Sequence, residues 1–186
     1  MKIAICLSGL IRNFENTFPR FKKYIMDTYE PDIFFYGYPN NNGLDYCNKK
    51  LIELYKPKKH IIQEYNSDLR KKICEDETKF KNTRSETKIN NLISQLYNIH
   101  NCDLLRQQYE AENNFKYDIV LRCRTDVFFF KSFEDYELTM ARVGFVLIPT
   151  EWDFKNVNTI CVSDSFAMTN SKSMSKYANL YNKYEK

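Results

Sequence analysis

The sequence is poor in the residues that interrupt regular structure, with only four glycines and five prolines among 186 residues. That scarcity excludes collagen-like and linker-like chains. Hydrophobic residues make up 43% of the chain and aromatic residues 16%, which excludes a globally disordered protein. Long apolar runs are missing too: the longest, residues 32–38 and 143–149, are far shorter than the roughly 20 residues that span a bilayer. We therefore expect a folded chain without a membrane span.

Cysteine and histidine are too scattered to indicate a metal or disulfide framework. The six cysteines stand far apart, without a Cys-x-x-Cys pair, and the chain has two histidines. Structural zinc and a disulfide network are therefore not expected, and buried free thiols are. The apolar run at residues 3–7 is too short for the core of a signal peptide. We expect this run to be a first strand and the protein to be cytoplasmic.

Charge of one sign is not concentrated along the chain. The net charge of +4 gives a slight preference for anionic partners. Basic residues form no long stripe with interleaved aromatics, which is the pattern of nucleic-acid-binding surfaces. We do not expect a nucleic acid among the partners.

The chain does contain an alternation of strand-like and helix-like segments. Apolar runs predict strands at residues 2–7, 32–38, 59–65, 117–126 and 143–149. Helical spacing of apolar residues predicts helices within 14–25, 46–55 and 89–105, and a last helix capped by Ser171. This alternation indicates an α/β fold, which we expect to be a three-layer Rossmann-like domain with a central, mostly parallel sheet. We expect one domain over residues 1–186.

The strongest candidate for chemistry lies where the fourth predicted strand ends. Alternate residues of a strand share a face, so Arg122, Arg124 and Asp126 point one way and Thr125 points the other. Ligands of open α/β sheets bind beyond the carboxyl ends of the strands. Guanidinium groups suit anionic oxygens, and a lone carboxylate suits a divalent metal that bridges phosphate oxygens. The alternative is a structural ion-pair network with acidic residues of a helix.

The turn after the first predicted strand is a second candidate. Its sequence is Ser8-Gly9-Leu10-Ile11-Arg12-Asn13. Glycine allows close approach of the backbone to a ligand, and Arg12 can reach a phosphate. The turn is neither Gly-x-Gly-x-x-Gly nor a P-loop, which disfavours dinucleotide oxidoreductases and P-loop kinases. The alternative is an ordinary strand-to-helix turn.

Two further residues are candidates for catalysis or substrate binding. Asp164 can act as a general base or hold acceptor hydroxyls; an Asx-turn is the alternative. Trp152, the only tryptophan, can stack on a sugar ring or pack at the edge of the core. The two histidines belong to no visible Ser/His/Asp or Cys/His set, so hydrolase chemistry has little support.

Three segments together resemble a small group of GT-A-type glycosyltransferase-like proteins found in large DNA viruses and microbes. Residues 2–12 resemble the first strand and Ser-Gly-x-x-Arg turn of the group, and residues 117–126 resemble its Arg-x-Arg-x-Asp segment. Residues 163–168, followed by Met174 and Tyr177, resemble its closing segment. The resemblance implies a GT-A-like, nucleotide-sugar-binding domain, located in the host cytoplasm if the chain is viral.

The resemblance implies an enzyme that moves a sugar from a UDP- or GDP-linked donor to a hydroxyl of a glycan or protein acceptor. It implies that Ser8, Gly9 and Arg12 face the nucleotide. It also implies that Asp126 meets Mn²⁺ or Mg²⁺ on the diphosphate.

One departure from the family pattern concerns the metal. The usual motif is Asp-x-Asp, whereas Arg124 takes its first position here. Arg122 or Arg124 can instead neutralise the leaving diphosphate directly. Two alternatives remain open: a catalytically degenerate nucleotide- or sugar-binding module, and another nucleotide-donor transferase such as a sulfotransferase.

Overall fold

A computed structural model describes residues 1–65, 86–149 and 165–184. In these residues five strands form one sheet in the order β3-β2-β1-β4-β5. The strands are β1 (Ile3–Leu10), β2 (Asp32–Tyr38), β3 (Lys59–Ile62), β4 (Ile119–Cys123) and β5 (Phe166–Thr169). The first four are parallel, and β5 runs antiparallel to β4. The predicted α/β fold with a mostly parallel central sheet is confirmed and is compatible with a Rossmann-like domain.

Helices connect the strands. In chain order they are α1 (Phe14–Phe21), α2 (Asp27–Tyr29), α3 (Leu44–Tyr55), α4 (Glu86–Glu112), α5 (Asp135–Arg142), α6 (Ser171–Ala178) and α7 (Leu180–Tyr184). A π-helical turn, Lys22–Met26, joins α1 to α2 just after Pro19, which lacks the N–H that a regular helix would use. In the described part of the chain, no helix is long and apolar enough to cross a membrane.

Alternate strand residues bury on opposite faces of the sheet, as their spacing predicts. One face carries Ile5 and Leu121 and packs against α1 and α3 through residues such as Phe14 and Leu51. The other face packs against α4 and α6 through the residues Ala4, Cys6, Phe34, Val120, Cys102 and Met174. Helices thus cover the sheet on both sides, which makes three layers.

Two local predictions were wrong. Residues 143–149 do not form a strand: Leu147 makes a single antiparallel bridge to Met168, and Val143 and Phe145 are exposed rather than buried in the sheet. The fifth strand is instead Phe166–Thr169. The cap of α6 is Asn170, whose side chain accepts from the Ser173 N–H, so Ser171 begins the helix and does not cap it. The expectation of a single domain over residues 1–186 stays a prediction.

Candidate functional site

A cleft of about 470 Å³ opens at the carboxyl ends of β1, β2 and β4, with the first half of α4 as one wall. The chain runs from β1 to β2 and β3 on one side of the sheet, then crosses to β4 on the other side of β1. Open α/β sheets bind ligands at such a point, where the strand order reverses. Among the described residues that line this cleft, the charged ones are Arg12, Arg122 and Arg124. We call it the arginine cleft.

Arg122 is a buried charge at the floor of the cleft. Its neighbours on β4, Leu121 and Cys123, face the opposite core, so Arg122 points toward α4. Its side chain is only 1% exposed, and its Nε donates to the Ser8 hydroxyl at 3.2 Å. A buried guanidinium stays charged, because its pKa lies far above neutral pH. The two predicted residues Ser8 and Arg122 are therefore in contact, and they bring a fixed positive charge to the cleft.

Arg124 and Asp126 form a bidentate ion pair at the rim of the arginine cleft. Arg124 Nε lies 2.9 Å from Asp126 Oδ1, and Arg124 Nη2 lies 2.7 Å from Oδ2. Arg12 Nε is 3.9 Å from the same Oδ2. Burial raises the pKa of Asp126, but the hydrogen bonds and charge of Arg124 and the charge of Arg12 outweigh it, so the net pKa is lowered. Asp126 therefore stays ionised and holds the two arginines in place.

A divalent metal at Asp126 does not fit this arrangement. Both carboxylate oxygens already accept from Arg124, and a second guanidinium is close by, whereas a Mg²⁺ or Mn²⁺ site needs several oxygen ligands around the ion. The described residues contain no group of three or more His, Cys, Asp or Glu side chains that could hold a metal. The metal implied by the resemblance stays a prediction.

Gly9 and Gly37 shape the floor of the cleft, and the sequence analysis did not select Gly37. Gly9 has φ +108°, and a Cβ there would have no atom within 4 Å, so a ligand can approach its backbone closely. Gly37 of β2 is its register partner, and a Cβ on Gly37 would overlap the Gly9 carbonyl oxygen. A glycine inside the apolar β2 run was the available sign of close backbone approach.

Thr125 joins the two predicted motifs to each other. Its Oγ1 accepts from the Arg12 N–H at 3.1 Å and lies 3.2 Å from the Arg12 carbonyl oxygen, to which it can donate. The Thr17 hydroxyl donates to the Thr125 carbonyl at 2.7 Å. The turn after β1 is thereby fixed to the end of β4. Strand alternation correctly placed Thr125 on the face opposite Arg124. It did not predict the hydrogen bonds of Thr125, because their partners lie in the turn after β1 and in α1.

The α4 wall of the cleft is polar and uncharged. It carries Asn91, Ser94, Gln95 and Asn98, and Tyr38 from β2 lies beside them. These four α4 residues occupy positions i, i+3, i+4 and i+7, the spacing of one helix face. This polar stripe lies next to the apolar stripe of the same helix. It was the sign in the sequence that one face of α4 lines a polar cleft.

Trp152 and Asp164 lie outside the residues that the structure describes. Asn13 adopts φ +46° at the start of α1 and is exposed, so it shapes the turn rather than lining the cleft.

Comparison with known proteins places the chain in a family. Residues 1–178 match the family described as "Domain of unknown function (DUF7796)", and the chain belongs to it. A search of curated proteins finds no match. The function is therefore inferred from the chemistry of the cleft.

Proposed function

We propose that the chain is a glycosyltransferase that binds a UDP- or GDP-linked sugar in the arginine cleft and transfers the sugar to a hydroxyl of a glycan or protein. The observation that carries the proposal is the convergence of Arg12, Arg122 and Arg124 on one cleft at the reversal point of the sheet. Guanidinium groups donate to phosphate oxygens in a fixed fork geometry. A diphosphate is the ligand group that best matches three such charges.

The proposed reaction replaces one carbon–oxygen bond by another. The bond between the sugar and the diphosphate breaks, the acceptor oxygen bonds to the same sugar carbon, and the acceptor proton leaves to a base. Negative charge develops on the leaving diphosphate, where preorganised positive groups lower the barrier most. Arg122, held by Ser8, and Arg124, held by Asp126, are preorganised in this sense. Asp164 stays the predicted base.

The arginines take the neutralising role that a metal has in the related enzymes implied by the resemblance. The residues around Asp126 do not suit a divalent ion, so the proposal does not require one. Four cysteines of the described residues are buried free thiols, which agrees with a reducing compartment and supports the predicted cytoplasmic location.

A second candidate is a binding module without catalysis. It is favoured by the state of Asp126, the carboxylate next to the cleft, which is engaged by Arg124 and is therefore poorly placed to accept a proton. Such a module would bind the nucleotide sugar and not turn it over.

An assay of nucleoside diphosphate release distinguishes the glycosyltransferase from the binding module. It uses a panel of UDP- and GDP-sugars with mixed acceptors. The wild type should release product at similar rates in chelator and in manganese. Asp126→Asn should slow release by about tenfold, because Arg124 loses its charged partner. Binding without release would favour the second candidate. Release that stops in chelator and returns with manganese would overturn the arginine mechanism.

A further inference from the structure

Two buried polar atoms in the cleft have no hydrogen-bond partner in the described part of the chain: the Tyr38 hydroxyl and the Asn98 side-chain oxygen. Tyr38, at the end of β2, is 5% exposed, and Asn98 on α4 is 2% exposed. The Asn98 nitrogen is already used, because it donates to the Ser94 carbonyl at 2.7 Å. Leaving such a buried group unsatisfied costs about 1–3 kcal/mol, and native proteins rarely do so. Both residues line the arginine cleft, so a ligand can supply the missing partners.

Both atoms belong to uncharged residues of the cleft lining. Tyr38, Tyr65, Ser94 and Asn98 form what we call the neutral end, and the Tyr38 and Tyr65 rings pack 4.9 Å apart. Burial raises the pKa of the Tyr38 phenol to about 12, and this outweighs the lowering by the neighbouring Ser94 and Asn98 side chains, whose contacts with the hydroxyl fall short of hydrogen-bond geometry. The phenol is therefore protonated at neutral pH and can donate. The Asn98 oxygen can only accept.

We infer that the neutral end binds the uncharged part of a phosphate-bearing ligand, through a donor to Asn98 Oδ1 and a neighbouring acceptor for the Tyr38 hydroxyl. This inference rests on the proposed function, in which the arginines hold the phosphates. A nucleobase edge and a pair of sugar hydroxyls both present a donor beside an acceptor. The cleft volume of about 470 Å³ lies within the range of small-ligand sites.

The decisive variant is Tyr38→Phe, which removes one hydroxyl and keeps the ring. Because that hydroxyl has no hydrogen-bond partner among the described residues of the unliganded protein, the melting temperature should not fall. Affinity for the ligand should fall by about three- to tenfold, the effect of one neutral hydrogen bond. The matched control is Tyr36→Phe on the same strand, since its hydroxyl donates to Tyr97 and accepts from Gln63. That control should melt roughly 2–4 °C lower and bind unchanged.

Calorimetric titrations with UDP, GDP, a sugar 1-phosphate and pyrophosphate separate the possible ligands. If the neutral end binds the base, Tyr38→Phe should weaken the binding of UDP and GDP. If it binds the sugar hydroxyls, the variant should weaken the binding of the sugar 1-phosphate. In both cases the affinity for pyrophosphate should not change. Equal weakening of all four, or no weakening, would overturn the inference while the phosphate site stands. A melting temperature that falls as far as in the control would also overturn it. Failure of the wild type to bind any of the four would instead reject the proposed function.

Discussion

At the scale of single residues, the pairing of Asp126 with Arg124 decides how the cleft handles charge. The two residues are separated by one position, and strand alternation put them on the same face in the sequence reading. The sequence analysis also predicted that Asp126 binds a divalent metal, because a carboxylate at the end of a strand is a suitable metal ligand. The structure directs both oxygens to Arg124 instead. Spacing alone predicts proximity, but it cannot tell which of two nearby partners a carboxylate takes.

The Gly9–Gly37 contact gives a prediction at this scale. Gly37→Ala should lower the free energy of unfolding by about 3 kcal/mol or more, because its Cβ would overlap the backbone of β1. Gly9→Ala should cost only about 1–2 kcal/mol, from its left-handed φ, since the space beside it is open. Urea denaturation of both variants measures the difference. Equal stability of Gly37→Ala and wild type would contradict the close approach of β1 and β2.

The sequence predicted the site residues at strand ends but not those whose partners lie in loops or on neighbouring strands. Arg122 and Ser8 were selected correctly as polar groups at strand ends, because strand periodicity and parallel pairing bring such ends to one edge. Thr125 and Asn98 were not selected. Their roles depend on which loop backbone or neighbouring strand lies opposite, and only the packed structure determines that.

At the scale of elements, a buried ion network joins α4 to α6 and to the start of β4. Arg106 of α4 is fully buried and pairs with Asp103 and Glu110, each at 2.7 Å. Glu110 also accepts from the Ser171 hydroxyl and from the Tyr117 N–H. The other carboxylate oxygen of Glu110 accepts from Lys116 Nζ at 2.8 Å, so both oxygens have partners. The network fixes the helix that forms the wall of the arginine cleft.

Removing the charge of Glu110 should therefore destabilise the packing of α4 against α6 and the start of β4. Glu110→Gln should lower the free energy of unfolding by about 3 kcal/mol, because Arg106 is left in the core with one carboxylate fewer. The control is Glu112→Gln on the same helix, whose partner Lys59 is at the surface, and it should cost less than about 1 kcal/mol. Denaturant titrations of the two variants measure these costs. Similar costs for both would contradict the role of the network.

The Glu110 effect should also depend on pH. Burial raises the pKa of Glu110, but hydrogen bonds from Lys116, the Tyr117 N–H and Ser171, together with the charge of Arg106, outweigh it and lower the net pKa. A lowered folded-state pKa means that the charge stabilises the fold above the ordinary value of 4.5. The difference between wild type and Glu110→Gln should therefore shrink as the pH falls through the folded-state pKa. A difference that grows on acidification would have the wrong sign.

Periodicity predicted most elements and failed at one. The apolar stripe of residues 89–105 predicted a helix, and α4, with 27 residues, contains the whole of that stretch. The apolar run at residues 143–149 predicted a strand, yet Val143, Phe145 and Val146 are exposed. An apolar run forms a strand only where successive residues pair with a sheet edge. Among the described residues, this run meets the outer edge of β5 through the single Leu147–Met168 bridge.

At the scale of the whole molecule, the strand order explains why the cleft exists. Because β1 has β2 on one side and β4 on the other, the connection from β1 to β2 and the connection from β3 to β4 run in opposite directions across the sheet, and a crevice opens over the carboxyl end of β1. The sequence predicted the sheet type and the polar groups at its edge. It did not predict the strand order, because pairing partners distant in the chain leave no local pattern.

The measurement that tests the account most directly is calorimetric binding of UDP and GDP in chelator to the wild type, Arg12→Gln and Arg20→Gln. Both variants lose one positive charge, but Arg20 lies on the exposed side of α1 and is not among the described residues that line the cleft. We predict binding to the wild type, affinity at least roughly tenfold weaker for Arg12→Gln, as expected for a lost charge-assisted contact, and affinity within about twofold of wild type for Arg20→Gln. Equal weakening by both variants, or no binding by the wild type without a metal, would contradict an arginine cleft that holds a diphosphate.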